Sequence, residues 1–206
     1  MTATVPLAAI GPTGLDEDAA RAAIYGLLAH LFYAPPSAEL LAQLQEQAAA
    51  SGSLLEASWN ALAASARELD AATVASEYDA LFGGVGKPEV YLFGSHYLAG
   101  FLNEKPLVRL RDDLSALGLA RDPAMPETED HIAYLCEVMR LLITGPDAAV
   151  ANLARQSAFF AAHIQPWAGD LCDAIAAQPA ARFYARAADF TRDFFQVEAQ
   201  GFDMLA

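Results

Sequence analysis

The sequence contains only two cysteines and no long apolar run. Cys136 and Cys172 lie far apart, and neither belongs to a Cys-x-x-Cys pair. This spacing excludes the usual zinc-binding and thioredoxin-like patterns. The apolar neighbours of both cysteines predict reduced thiols that are buried in the core. No stretch reaches the ~20 consecutive apolar residues that a membrane-spanning helix needs.

Basic residues are also scarce. The 206 residues include 12 Lys and Arg against 26 Asp and Glu, which gives a formal net charge of -14. A field of this sign repels nucleic-acid phosphates and attracts basic ligands or peptides. An acidic surface also keeps proteins soluble, and charge alone favours this ordinary explanation by about four to one.

The first residues show no secretory signal, because no basic region precedes their short apolar run. Residues 1–14 contain two prolines and two glycines and are interpreted as a flexible leader. Residues 15–206 are expected to form one domain, since 55% of the chain is hydrophobic and can build a large core. The expected compartment is the cytoplasm.

Apolar residues recur at helical spacing along most of the chain. The first predicted helix carries Ile24, Leu27, Leu28, Leu31 and Phe32 on one face. Further helical patterns cover residues 37–44, 59–82, 95–103, 107–117, 132–143, 159–167 and 183–195. No segment alternates with a period of two residues, so the predicted fold class is all-α.

Ser37 and Pro166 are predicted to mark helix ends. Ser37 can cap the helix that follows the proline pair 35–36. Pro166 must bend or end the helix that contains it, because proline lacks the N–H that continues a helix.

The glycine-rich loop 83–87 was compared with a phosphate-binding loop. A P-loop requires a glycine five residues before Gly86 and Ser or Thr after Lys87, but Leu81 and Pro88 occupy those positions. The loop is therefore interpreted as the glycine-rich end of a helix.

The histidines and serines form no recognised catalytic or metal motif. None of the four histidines follows a glutamate by three residues, so the Glu-x-x-His pattern of di-metal helical bundles is missing. The sequence Phe93-Gly94-Ser95-His96 lacks the strand and glycine pattern of a hydrolase nucleophile. We therefore expect no enzyme. The alternative is a helical enzyme that binds a metal or cofactor, haem included, through His131 and nearby carboxylates.

Glu129-Asp130-His131 begins a predicted amphipathic helix. Two carboxylates at this position offset the positive end of the helix dipole, and His131 can pack or cap. From residue properties alone, this structural interpretation is favoured over a binding site by about two to one.

Four segments, in the same order, resemble the TorD/DmsD/NarJ family of redox-enzyme maturation chaperones. They are EYDALFGG at 77–84, FGSHY at 93–97, EDHI at 129–132 and FFAAHIQPW at 159–167, followed by the Phe183-Tyr184 pair. The resemblance extends from about Tyr25 to Glu198. Thr128 and Gly84 stand where the family usually has proline.

The resemblance implies a TorD-like, single-domain bundle of roughly ten helices. It implies a cytoplasmic chaperone that serves anaerobic respiration and has no cofactor of its own. The implied partner is an apo molybdenum-cofactor oxidoreductase subunit, bound through its twin-arginine leader or a related N-terminal segment before cofactor insertion and export. Family members have been suggested to bind guanine nucleotides, but no residue here is assigned to that. The chain is expected to be a monomer or a homodimer.

The resemblance also implies a peptide-binding pocket. Its residues are Tyr78, Phe82, Ser95, Tyr97, Asp130 and His131. Asp130 is expected to accept two hydrogen bonds from an arginine guanidinium, and the aromatic rings to contact the peptide. His163 and Trp167 are expected to be structural, because one helix can bury both rings.

Overall fold

Ten α-helices and no β-strand form the described part of the chain, which in this computed structural model covers residues 17–47, 52–83, 87–102, 105–122 and 124–204. They are α1 Glu17–Tyr33, α2 Ala38–Glu46, α3 Glu56–Glu68, α4 Ala71–Phe82, α5 Gly94–Ala99, α6 Lys105–Ala116, α7 Ile132–Thr144, α8 Leu153–His163, α9 Gln165–Ala176 and α10 Phe183–Asp203. The all-α, TorD-like fold is confirmed. Within these ranges, no helix combines the length and the hydropathy needed to cross a membrane. The predicted leader 1–14 and residues 84–86 lie outside the described residues.

The core is built around α1 and α10. α1 packs along α7, and α10 packs against α9 and α3. Tyr25 of α1 meets Phe194 of α10 edge to face, with ring centroids 4.9 Å apart. Cys136 and Cys172 are buried and free, as predicted, and burial raises the pKa of the Cys172 thiol to about 12. The apolar face of each helix thus lies in one shared core.

Side-chain caps define several helix starts. The Ser37 hydroxyl accepts a hydrogen bond from the Leu40 N–H at 3.1 Å, which confirms its predicted role. Asp70 caps α4 by accepting from the Thr73 N–H at 2.7 Å. The helical pattern over 59–82 therefore comprises two helices, which are separated at Leu69 and Asp70.

The start of α10 is capped by another helix. The Glu77 carboxylate of α4 accepts backbone hydrogen bonds from Arg182, Phe183 and Tyr184 at 2.9, 3.1 and 2.7 Å. These donors are the unpaired N–H groups of the first turn of a helix. Glu77 is buried, so this contact fixes α4 against α10 inside the bundle.

The predicted helix over 95–103 was too long. α5 ends at Ala99, because Gly100 adopts a left-handed conformation with φ of 78° and its N–H bonds to the His96 carbonyl. Leu102 lies beyond the helix, and residue 103 is outside the described residues.

Pro166 ends a helix as predicted, since α8 stops at His163 and α9 begins at Gln165. His163 and Trp167 consequently lie on two helices, which corrects the expectation of a single one. Both are buried, and the Trp167 indole N–H donates to the His163 carbonyl at 2.6 Å.

Candidate functional site

Two backbone hydrogen bonds join the segments that precede α5 and α7. The Gly94 N–H donates to the Asp130 carbonyl at 3.0 Å, and the Ile132 N–H donates to the Leu92 carbonyl at 2.9 Å. The result is an isolated antiparallel bridge between Phe93 and His131, here called the 93–131 bridge. It brings two of the recognised sequence segments together.

The Asp130 side chain is part of this bridge. Its carboxylate accepts the Ser95 N–H at 2.8 Å through Oδ2 and the Thr128 hydroxyl at 2.6 Å through Oδ1. Asp130 is 4% exposed. The structure therefore brings Asp130 and Ser95 together, and the Asp130 carboxylate holds the start of α5. The predicted role of Asp130 as an arginine acceptor stays a prediction.

His131 caps the start of α7 and packs against an aromatic ring. Its Nδ1 accepts a hydrogen bond from the Ala133 N–H at 3.2 Å, which caps α7. Its ring meets the Phe93 ring edge to face at 5.0 Å. Burial lowers the pKa of His131 to about 4, so the imidazole is neutral at neutral pH.

A cavity of about 730 Å³ opens beside the 93–131 bridge, between α5, α6, α8 and α9. We call it the α5–α6 cavity. Ser95 and Asp130 line it, and Trp167 forms part of its wall. The Ser95 hydroxyl is buried and has no hydrogen-bond partner among the described residues. Ser95 is 0% exposed, so this hydroxyl lies beneath the surface of the cavity.

The entrance of this cavity is apolar. Leu98 and Val108 line it and are 43% and 57% exposed. Clustered exposed apolar side chains beside a concave site are typical of binding surfaces.

Two cations also line the cavity. Lys105 and Arg109 lie one turn apart on α6, and neither forms an ion pair with another described residue. His163 lines the same wall, and its Nε2 lies 2.7 Å from an Asp113 carboxylate oxygen. Burial lowers the pKa of His163. Asp112 of α6 lines the cavity as well, so the cavity combines an apolar entrance with charges of both signs on its α6 side.

Tyr97 supports the cavity wall from behind. Its ring stacks on Trp167 with centroids 5.5 Å apart and an interplanar angle of 17°. Its hydroxyl donates to the Tyr91 carbonyl at 2.8 Å. Burial raises the pKa of Tyr97, so the phenol is neutral at neutral pH. Tyr97 therefore positions Trp167.

An aromatic group lies at the end of α1, where Phe93 and His131 point. The Tyr33 ring is 6.5 Å from His131 and 5.9 Å from Tyr134. The Tyr78 hydroxyl donates to the Tyr33 carbonyl at 2.9 Å. We call Tyr33, Tyr78, Phe93, His131 and Tyr134 the Tyr33 cluster. Phe82 packs behind it, with its ring 5.1 Å from that of Tyr78.

The six predicted site residues therefore occupy two neighbouring surfaces. Ser95 and Asp130 line the α5–α6 cavity, while Tyr78 and His131 belong to the Tyr33 cluster. Phe82 and Tyr97 support these surfaces from behind.

Sequence reasoning missed Tyr33, Tyr134 and the apolar entrance. Tyr33 and Tyr134 come together only because α1 packs along α7. No motif in the sequence marked Leu98 and Val108 as exposed side chains at a cavity. Among the described residues, no group of three or more His, Cys, Asp or Glu side chains is arranged to hold a metal ion.

The family model described as nitrate reductase delta subunit matches residues 34–173, more than half of the chain. The chain therefore belongs to this family, a family of molybdoenzyme maturation chaperones. No curated protein matched the sequence. The family membership confirms the resemblance that the four sequence segments indicated.

Proposed function

We propose that this member of the nitrate reductase delta subunit family is a cytoplasmic chaperone for a molybdenum-cofactor oxidoreductase subunit. It binds the twin-arginine leader of that subunit, or a related N-terminal segment, and assists cofactor insertion before export. The observation that carries the peptide-binding part of this proposal is the α5–α6 cavity with its exposed apolar entrance.

The chemistry of a leader suits this entrance. A twin-arginine leader presents two arginines and then an apolar helix. An apolar helix binds by placing its hydrophobic face in a groove, and each large apolar side chain that leaves water contributes roughly 1.5–3 kcal/mol. Leu98 and Val108 are exposed at the cavity and available for such contacts.

The predicted site residues have distinct roles in this proposal. Ser95 lies at the floor of the cavity, beneath the surface that a peptide would contact. Tyr78 and His131 present the Tyr33 cluster next to it, while Asp130 holds the floor in place. The Phe82 ring packs against Tyr78 of the Tyr33 cluster, and the Tyr97 ring packs against Trp167 in the wall of the cavity. Phe82 and Tyr97 therefore keep Tyr78 and Trp167 in position.

A pair of matched variants tests the cavity entrance. Leu98 and Leu153 are 43% and 42% exposed, but only Leu98 lines the cavity. We expect Leu98→Glu to weaken binding of a synthetic peptide, with two arginines ahead of an apolar helix, by about tenfold or more, since ~1.4 kcal/mol is a factor of ten. Leu153→Glu should retain the affinity of the unmodified protein in isothermal titration calorimetry.

Circular dichroism and urea unfolding of both variants provide the folding control. Equal affinities for Leu98→Glu, Leu153→Glu and the unmodified protein would contradict a binding site at the cavity. Absence of peptide binding by the unmodified protein would contradict the proposed ligand itself.

A further inference from the structure

Lys105 and Arg109 are cations without a carboxylate partner in a strongly acidic chain. Acidic residues outnumber basic residues by 26 to 12. Elsewhere in the described chain, carboxylates form ion pairs with Arg21, Arg111, Arg140, Arg186 and Arg192. Neither Lys105 nor Arg109 has such a pair with another described residue, although both line the α5–α6 cavity. The cavity wall therefore holds two positive charges that a ligand can use.

The two carboxylates that follow on α6 leave these cations unpaired. Asp112 also lines the cavity, one turn after Arg109, but the two side chains form no ion pair. An Asp113 carboxylate oxygen lies 2.7 Å from the His163 Nε2 instead. Along the α6 wall of the cavity, the charges therefore change from two cations at 105 and 109 to one anion at 112.

The two cations flank an exposed apolar side chain. Val108 is 57% exposed, and it lies three residues after Lys105 and directly before Arg109. Residues three and four apart are neighbours on the surface of a helix, so Val108 shares a face with both cations. Lys105 begins α6, where the end of the helix dipole adds a partial positive charge. A ligand that covers Val108 therefore brings its own polar groups beside Lys105 and Arg109.

We infer that Lys105 and Arg109 bind a carboxylate that directly follows the apolar helix of the client segment. This inference rests on the proposed function and adds to it the direction in which the segment lies along α6. The arginines of a leader precede its apolar helix, and like charges at Lys105 and Arg109 repel them. The C-terminal end of a helix carries a partial negative charge, so this end and a carboxylate after it complement the two cations.

This charge pattern orients the segment antiparallel to α6. Its C-terminal end lies toward Lys105, at the start of α6, and its N-terminal end lies toward Asp112, two turns later. The same pattern gives specificity, because a basic residue after the apolar helix would meet two cations at close range. Clients with an acidic residue at that position are therefore preferred over clients with a basic one.

Three peptides without arginines test the inference by calorimetry. Each has blocked termini and the same apolar helix, with Glu after the helix, Glu before the helix, or Gln at both positions. The unmodified protein should bind the peptide with Glu after the helix about threefold or more tightly than the other two, a modest gain because ion pairs at exposed sites are weak. Equal affinities for the three peptides would overturn the inference.

Matched double variants test the two cations. Lys105→Gln with Arg109→Gln should abolish the preference for Glu after the helix. Arg155→Gln with Arg182→Gln removes the same two charges from exposed residues that do not line the cavity, and this control should keep the preference. Circular dichroism verifies that both variants are folded. A preference that survives in the first variant, or disappears in both, would contradict a site at Lys105 and Arg109.

The lysines of the chain allow the carboxylate to be located directly. A carbodiimide joins a carboxylate to a nearby lysine amine as an amide with loss of water, and the chain has two lysines, Lys87 and Lys105. Glu after the helix should cross-link to Lys105 and not to Lys87, as mass spectrometry of the digested full chain will show. Cross-linking to Lys87, or equal cross-linking of Lys105 by the peptide with Glu before the helix, would overturn the inference.

The peptides also separate this inference from the proposed function. A preference for Glu after the helix, with no gain in affinity when two arginines are added before it, would support the inference and reject twin-arginine recognition. Leu98-dependent binding of a peptide with two arginines, without any preference for Glu after the helix, would reject the inference alone. No binding by any of these peptides would overturn both.

Discussion

His131 shows how burial sets the charge of a single residue. Its imidazole is 4% exposed and uses Nδ1 as a hydrogen-bond acceptor for the Ala133 N–H. An acceptor nitrogen must be unprotonated, so burial and capping both favour the neutral ring. His131 therefore contributes its shape and its acceptor nitrogen to the site, without a positive charge that would repel arginine.

This neutral histidine predicts acid sensitivity. The unfolded chain protonates the imidazole below about pH 6.5 and the folded chain only below about pH 4, so the free energy of unfolding falls as the pH decreases through this interval. The full loss is roughly 3 kcal/mol, and about 2 kcal/mol of it is reached near pH 5. His131→Asn keeps an acceptor for the cap and should lose less stability between about pH 7 and about pH 5 in urea unfolding. Equal losses for the variant and the unmodified protein would contradict this account.

Asp130 illustrates what a residue pattern leaves open. The sequence places a carboxylate at a helix start, where it could serve a ligand, a helix dipole or a neighbouring segment. In the fold it accepts the Ser95 N–H and the Thr128 hydroxyl. Asp130 has this role because the segments that precede α5 and α7 meet at the 93–131 bridge. The local sequence does not specify that meeting.

At the scale of elements, α10 depends on α4 for its first turn. α10 has no capping side chain of its own, and the Glu77 carboxylate receives three of its N–H groups. A hydrogen bond to a charged group contributes about 1.5–3 kcal/mol to stability, and orphaned N–H groups in a buried helix start are costly.

Replacement of Glu77 should therefore destabilise the whole bundle. We expect Glu77→Ala to lower the free energy of unfolding by roughly 3 kcal/mol, because it leaves two buried donors and one part-buried donor without a partner. Glu68→Ala, at the exposed end of α3, is the control and should change stability by less than about 0.5 kcal/mol. Urea unfolding of both variants measures the difference, and equal effects would show that the Glu77 cap adds nothing.

Across the whole molecule, the net charge of -14 creates a long-range field. Such a field speeds encounter with a cationic ligand and is screened by salt, with a Debye length of about 10 Å at 0.1 M. The field of the whole surface acts on association, while contacts at the cavity entrance act on dissociation.

Salt should therefore change the kinetics of peptide binding. The association rate constant of a peptide with two arginines ahead of an apolar helix, here called the arginine peptide, should fall by about tenfold or more between roughly 0.02 and 0.5 M ionic strength. The rate constant of a peptide with two glutamines in place of the arginines should fall less. Stopped-flow fluorescence measures both rates. A salt-independent rate for the arginine peptide would show that the acidic surface serves only solubility.

The sequence by itself determined the helices and several of their ends. Apolar spacing fixed the buried faces, Ser37 fixed a cap and Pro166 fixed a break, because each acts over one or two turns of chain. The ordered segments also determined the family. The boundary at Asp70 and the early end of α5 were not recognised, although both have local causes in a capping carboxylate and a left-handed Gly100.

Only the tertiary structure decided which side chains meet. The packing of α1 along α7 places Tyr33 against His131 and Tyr134, which lie about a hundred residues away in the sequence. The meeting of α5, α6, α8 and α9 creates the cavity and exposes Leu98 at its entrance. The engaged carboxylate of Asp130 is likewise a product of this packing. The helical spacing of apolar residues indicates which face of a helix is buried. The surface that covers that face depends on contacts between helices that are distant in the sequence.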